Sequence, residues 1–223
     1  MELATQLTAF AALLTSIVTM FTILEMRKQR VVSHLPILKV LGNHVNLVID
    51  KNQNWAWNRE KLKIGNFGKG VALDVDVKWE VDINKIISLL QKYDPHNVKE
   101  LKYENNVLKL DTSTHFVGNQ SQKFFPAISV DSITPDEIII PNYLTTAFES
   151  YINEAVLNRP DGSKSLNLDD FPSVDVLIKY QDINQNEYNK KFSLLINIES
   201  VSKGGESNDG SASVTFNVHE VSA

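Results

Sequence analysis

The sequence predicts a mainly β (α+β) protein: an N-terminal transmembrane helix, then an antiparallel β-sandwich-like domain with two inserted helices. Three observations carry this. An uncharged apolar run fills residues 3–24. Apolar and polar residues alternate over 72–82 and 213–221, the period of a half-buried strand. Apolar residues recur at helical spacing over 83–93 and 142–157. The chain divides into residues 1–30, a helix with a basic juxtamembrane segment, and residues 31–223, a cytosolic domain long enough to bury a real core.

The run from Leu3 to Leu24 reads LATQLTAFAALLTSIVTMFTIL, with Glu2 before it and Glu25, Arg27, Lys28 and Arg30 after it. As a helix these 22 residues span about 33 Å, the thickness of a bilayer core. A cleavable signal peptide would carry positive charge ahead of the run, and none precedes Arg27. A buried soluble helix would show a polar face, whereas only Gln6 and scattered hydroxyls interrupt this one, and hydroxyls can bond to their own helix backbone. Basic residues that follow the span place the N-terminus outside and the C-terminal domain in the cytoplasm, at the cell inner membrane. Arg27, Lys28 and Arg30 serve as the juxtamembrane anchor, and the sequon Asn119-Gln120-Ser121 then escapes glycosylation. Ala4, Thr8, Ala11, Thr15, Thr19 and Thr22 share one face. Small residues let helix backbones approach closely in lipid, so a homo-oligomer packed through this face is expected.

Val31 to Leu35 is a short connection that keeps the domain near the membrane. Residues 36–41 and 46–50 read as short strands, and 62–64 begins another, punctuated by Gly65, Gly68 and Gly70. Over 72–82, Leu73, Val75, Val77, Trp79 and Val81 are expected on one face, with Asp74, Asp76, Lys78, Glu80 and Asp82 opposite. Ile83 to Tyr93 is a helix stopped by Asp94-Pro95. Residues 101–103 and 107–110 flank Glu104-Asn105-Asn106 as a hairpin. Strands follow at 123–128 and 137–140, then a helix over 142–157 that Asn142 can cap, then a loop at 159–163. Residues 174–180 and 191–198 make a strong hairpin, and after a loop over 203–211 a last strand covers 213–221.

Composition excludes several chemistries. There are no cysteines, hence no disulfide, thiolate zinc site or cysteine nucleophile. Net charge is −5 with no basic stripe, so no nucleic-acid partner is expected. His34, His44, His96, His115 and His219 stand at no metal-ligand spacing, and neither a nucleophile elbow nor a P-loop is present. The stretch Gly65-Asn66-Phe67-Gly68-Lys69-Gly70 reverses the dinucleotide fingerprint and opens a strand, so its glycines are read as a structural turn. The acidic face of 72–82 is interrupted by Lys78 and reads as a solvated sheet face. Asp169-Asp170 is a charged loop pair.

The stretch YQDINQNEYNKKF, residues 180–192, begins like a calcium loop with Asp182, Asn184 and Asn186. Glu187 then stands where glycine is required and Ser193 where a bidentate glutamate is required, and strands flank it instead of helices. It is read as a hairpin tip in which Asn184 and Asn186 take left-handed turn geometry and Asp182 closes an Asx turn. Asp182, Asn184 and Asn186 are the candidate contact residues of an exposed tip. No catalytic residue, metal or cofactor is expected.

Three segments together resemble uncharacterised bacterial membrane-anchored proteins with one N-terminal transmembrane helix and a β-sandwich domain. They are Leu24 to Arg30 after the helix; Asn66, Gly68, Gly70, Ala72, Asp74 and Val75, with Val71 where proline is usual; and Tyr180, Asp182, Asn186, Tyr188 and Phe192. The resemblance implies a membrane-tethered β-sandwich and an association with bacterial anti-phage defence systems. The expected function is a non-enzymatic, single-pass membrane anchor whose cytosolic domain binds a protein partner or supports oligomerisation, with the lipid bilayer as its first partner. The alternative is a membrane-disrupting effector of an anti-phage system whose helices assemble in the inner membrane.

Overall fold

The computed structural model describes residues 2–49, 61–93, 100–110, 113–117, 121–129, 135–152, 171–203 and 210–221. Helix α1 covers Glu2–Ser33. It is one helix long and apolar enough to cross a membrane, and none of its apolar window Gln6–Arg30 is buried against the other described residues. Leu7, Phe10, Val18, Met20 and Phe21 all stand exposed among the described residues, a surface that suits a lipid solvent.

The remainder is mainly β, built of curled antiparallel sheets. A six-stranded sheet has the order β2-β12-β11-β10-β4-β8, from Asn43–Ile49, Gly210–Val221, Glu187–Lys203, Val174–Gln181, Ala72–Glu80 and Ser121–Ile128. A three-stranded sheet orders β1 (Leu38–Leu41), β3 (Lys61–Asn66) and β9 (Asp136–Ile139). A second joins β5 (Lys102–Glu104), β6 (Val107–Leu110) and β7 (Ser113–Phe116). A β8 side chain stitches the first two together: Gln122 Nε2 donates to the Glu137 carbonyl and its Oε1 accepts from the Ile139 N–H, both at 2.9 Å. An amide side chain thus completes the exposed β8 edge as a strand backbone would.

The core lies between the inner face of the large sheet and the smaller elements. Val75, Val77, Val174, Val176, Ile178, Phe192, Leu194 and Val214 meet Leu38, Leu62, Ile64 and Ile138 there. Helices α2 (Ile83–Tyr93) and α3 (Asn142–Ile152) close it at the far end. Asp82 caps α2, its Oδ1 accepting from the Lys85 N–H at 3.3 Å. At α3 the Pro141 carbonyl, rather than Asn142, opens the helix by accepting from Leu144 and Thr145. Phe148 and Phe171 meet edge to face at 5.1 Å. Burial and then the nearby Tyr103 push the Tyr143 hydroxyl up to about 12.

Several expectations change. The alternation over 72–82 breaks at Asp74, which takes φ 48°. Between the rungs Lys179–Asp76 and Gln181–Leu73, β4 carries an extra residue against β10, a β-bulge. Ala72 therefore points inward, and Leu73 is only half-buried. Strand β7 leaves no mark in the sequence, because Ser113, Thr114 and His115 give no apolar alternation. Asn105 and Asn106 have φ 50° and 61°, the left-handed pair of a tight hairpin turn, where the sequence indicates one. The expected features at 94–96, 153–157, 159–163 and 169–170, Asn119-Gln120 and loop positions 204–209 lie outside the described residues.

Candidate functional site

Strand direction brings three sequence features to one end of the domain. The rungs Leu38–Asn66, Ala72–Ile128, Gln181–Glu187 and Lys191–Val221 all lie there. So do the connector from α1, residues 34–37; the glycine loop, residues 65–70; and the β10–β11 hairpin tip, residues 182–186. The helices α2 and α3 occupy the opposite end.

Asn66 is the hub of this end. Its Oδ1 accepts from the N–H of Ile37 and of Gly68, each at 3.0 Å. Its Nδ2 donates to the carbonyls of Gly70 at 2.6 Å and Ile128 at 3.2 Å. One side chain thereby ties the connector to the glycine loop and to β8. Two backbone bonds add to it, Phe67 N–H to the Ile37 carbonyl at 2.8 Å and Gly70 N–H to the Leu35 carbonyl at 3.3 Å. The connector runs so close that a Cβ on Gly68 would lie 2.1 Å from the Leu35 oxygen, and one on Gly70 would lie 1.8 Å from the His34 oxygen. Gly68 and Gly70 are thus required by backbone approach. At Gly65 the added Cβ would meet only the Phe67 ring, at 3.2 Å, so the turn role assigned to it is less demanding.

The hairpin tip is closed by Asp182. Its Oδ1 accepts from the N–H of Asn184 at 2.8 Å and of Asn186 at 2.9 Å. Its Oδ2 accepts from Asn186 Nδ2 at 2.8 Å and the Tyr188 hydroxyl at 3.1 Å. Burial works to raise the carboxyl pKa, but the bonds from Asn186, Asn184 and Tyr188 outweigh it and hold the group below its ordinary value. Asp182 is 2% exposed, so it leaves the set of contact residues proposed for the tip, while Asn184 and Asn186 remain exposed. The left-handed residue is Gln185, φ 64°, and not either asparagine. With both carboxylate oxygens occupied, this loop is a closed turn. Among the described residues no group of three or more His, Asp or Glu could hold a metal ion.

On α1 the hydroxyls of Thr15, Thr19 and Thr22 donate to the carbonyls of Ala11, Thr15 and Val18, at 2.7–2.8 Å. Thr8 and Ala11 lie exposed on the same helix, and the side chain of Ala4 lies outside the described residues. Arg27, Lys28 and Arg30 are exposed in the last turns of α1. The helix is therefore apolar outward, with its hydroxyl protons spent on its own backbone.

One cluster escaped the sequence reading. On the outer face of the large sheet, His44 (β2), Glu199 (β11), and Ser213 and Thr215 (β12) converge. His44 Nδ1 is 3.0 Å from the Thr215 hydroxyl, and its Nε2 is 3.3 Å from the Ser213 hydroxyl. Ser213 Oγ is also 3.3 Å from Glu199 Oε2, and the Thr215 hydroxyl donates to Glu199 Oε1. That bond holds the Glu199 carboxyl below its ordinary value, against desolvation and helped by His44 and Ser213. Serine, histidine and a carboxylate are catalytic types, but here the His44 and Glu199 side chains are about half exposed on an open sheet face. The arrangement is a cross-strand polar network. Only the pairing register could have revealed it, since the residues lie 171 positions apart.

No curated protein sequence and no solved structure matches the chain. A family model described as "Domain of unknown function (DUF8453)" matches residues 3–200, most of the chain. The chain therefore belongs to the DUF8453 family.

Proposed function

We propose that this protein is a non-enzymatic, single-pass membrane anchor. Helix α1 crosses the inner membrane with its N-terminus outside, and a sandwich-like domain is held on the cytoplasmic side to bind a protein partner or to oligomerise. The observation that carries this reading is the seating of the helix exit. The connector is clamped by Asn66, Phe67 and Gly70, so α1 enters the domain through a fixed backbone path instead of a free linker. A tether needs only length, whereas a clamp transmits position from membrane to domain. The exposed small-residue face of α1 supports association between copies.

The alternative, a membrane-disrupting effector of an anti-phage system, draws on the same face. The inward-turned hydroxyl protons of Thr15, Thr19 and Thr22 favour close helix packing over the lining of a wet pore. Membrane fractionation of the full-length protein tests the anchor. Retention after alkaline carbonate extraction is expected, and a chain that stays soluble without detergent would overturn it. Replacing residues 3–24 with an unrelated apolar helix separates the two readings: an anchor keeps its function and an effector loses it.

A further inference from the structure

The end of the domain that receives α1 carries a rim of exposed apolar side chains, and we propose that this rim rests on the lipid headgroup surface. The inference extends the membrane-anchor reading and rests on it. Ile183 at the hairpin tip is 62% exposed, Phe67 in the glycine loop 56%, and Ile37 in the connector 43%. Each is joined to the helix exit by a bond already described or by a close neighbour. Phe67 N–H bonds Ile37, and Tyr180, three residues before Ile183, reaches the Pro36 carbonyl. The tip extends beyond the last β10–β11 rung, Gln181–Glu187, and so projects past the sheet on the connector side.

Lengths bring this rim to the bilayer. The 32 residues of α1 make a rod of about 48 Å, and an ordinary tilt of about 20° reduces its reach to about 45 Å. A bilayer with its headgroups is about 40–45 Å thick. Because Leu3–Leu24 fills the core, residues 25–33 carry α1 about 13 Å past it at that tilt, across a headgroup layer of about 5–8 Å, so the helix ends within several Å of the headgroup boundary. The connector, residues 34–37, adds at most about 14 Å even if fully extended, and its clamp keeps it against the domain. Composition suits the same place. Lys39 and Lys69 are exposed beside Phe67, and the Lys39 ammonium lies 5.5 Å from the Phe67 ring. Aromatic and aliphatic tips with flanking lysines are the side chains that settle into the interface, apolar part down and ammonium among the phosphates. Of the acidic residues next to Ile183, Asp182 is buried and bonded within the tip, and Glu187, on β11 just behind it, lies on the domain side.

The chain has no cysteine, so single reporters can be placed without background. Full-length I183C, F67C and a K85C control on α2 are labelled with an environment-sensitive fluorophore and reconstituted in phosphatidylcholine–phosphatidylglycerol vesicles, some carrying a headgroup-attached quencher. Emission at positions 183 and 67 should shift to the blue and be quenched by the labelled lipid, while position 85 should emit as in water. Matching melting curves for the three proteins confirm their fold. If the protein floats with the vesicles but positions 183 and 67 are quenched no more than position 85, the rim inference falls and the anchor stands. A blue shift without lipid quenching means that protein, such as a second copy, covers the rim, and also overturns the inference. A chain that does not float with the vesicles overturns the anchor reading itself.

Discussion

The Tyr180 hydroxyl donates to the Pro36 carbonyl at 3.4 Å, linking residues 144 positions apart. The Tyr180 ring stacks on Tyr188 with centroids 5.2 Å apart and planes 19° from parallel, and the Tyr188 hydroxyl donates to Asp182. Helix exit and hairpin tip are thus one continuous contact set. Burial raises the pKa of both tyrosines, which keeps them protonated as donors.

Loss of the Tyr180 hydroxyl should be mild and loss of backbone room severe. Tyr180→Phe removes one long hydrogen bond, at a cost of about 1 kcal/mol, or about 2–4 °C in melting temperature. Gly70→Ala forces a Cβ into the His34 carbonyl and should cost about 1–3 kcal/mol, toward the upper end because the obstacle is backbone. Thermal melting of the detergent-solubilised protein by circular dichroism checks both. A Gly70→Ala protein that melts with the wild type would show that the connector is not seated against the glycine loop.

Acid should loosen the hairpin tip. The Asp182 pKa is lower in the folded protein than its ordinary 3.8, so the turn's contribution is complete above that value and is lost as pH falls through the depressed one. Asp182→Asn keeps one acceptor but turns an amide donor toward Asn186 Nδ2 or Tyr188. It should lower the melting temperature at neutral pH and flatten its acid dependence. Melting curves between pH 2 and about 7 for the two proteins make the comparison, the window being that of carboxylate titration; parallel curves would remove Asp182 from the acid response.

Thr215→Val should raise the Glu199 pKa toward its ordinary 4.5, because the Thr215 hydroxyl is the largest cause of its depression. Glu199 stabilises the fold above that value, and the contribution disappears as pH falls through the lowered folded-state pKa. Titration of the Glu199 side-chain carboxyl by NMR reads this directly. An unchanged midpoint would mean that His44 and Ser213 hold the carboxylate alone.

Ala11→Leu and Thr15→Leu should weaken self-association of the full-length protein in mild detergent by blocking close approach of α1 helices. Leu14→Ala, on another face, should not. Chemical cross-linking through lysines followed by gel analysis distinguishes them, and equal cross-linking in all three proteins would move the contact away from the small-residue face.

Local pattern made much of this fold legible. The apolar run ending in Arg27, Lys28 and Arg30 gave α1. The spacing of Ile83, Ile86, Ile87 and Leu90 marked α2 with the bounds the structure has, and Asn105-Asn106 marked a turn whose φ values match. Such signals arise from neighbouring residues, whose periodicity and turn preferences act before the chain has folded. The candidate site was legible only in parts. Asn66, Gly68 and Gly70 were visible as a turn, and Asp182 as the closure of a hairpin.

What the sequence determined by itself, then, is a helix long and apolar enough to span a membrane, a β-rich domain and the exclusion of cysteine chemistry. Tertiary structure decided what those turns hold. Asn66 touches Ile37 and Ile128, Tyr180 touches Pro36, and Gln122 joins two sheets, through contacts 15 to 144 positions apart. It also decided that Asp74 bulges, that Asp182 is buried and that His44 meets Glu199. Each of these depends on which strands pair and in what register. That choice is made by burying the whole apolar face at once, and no short stretch of sequence carries it.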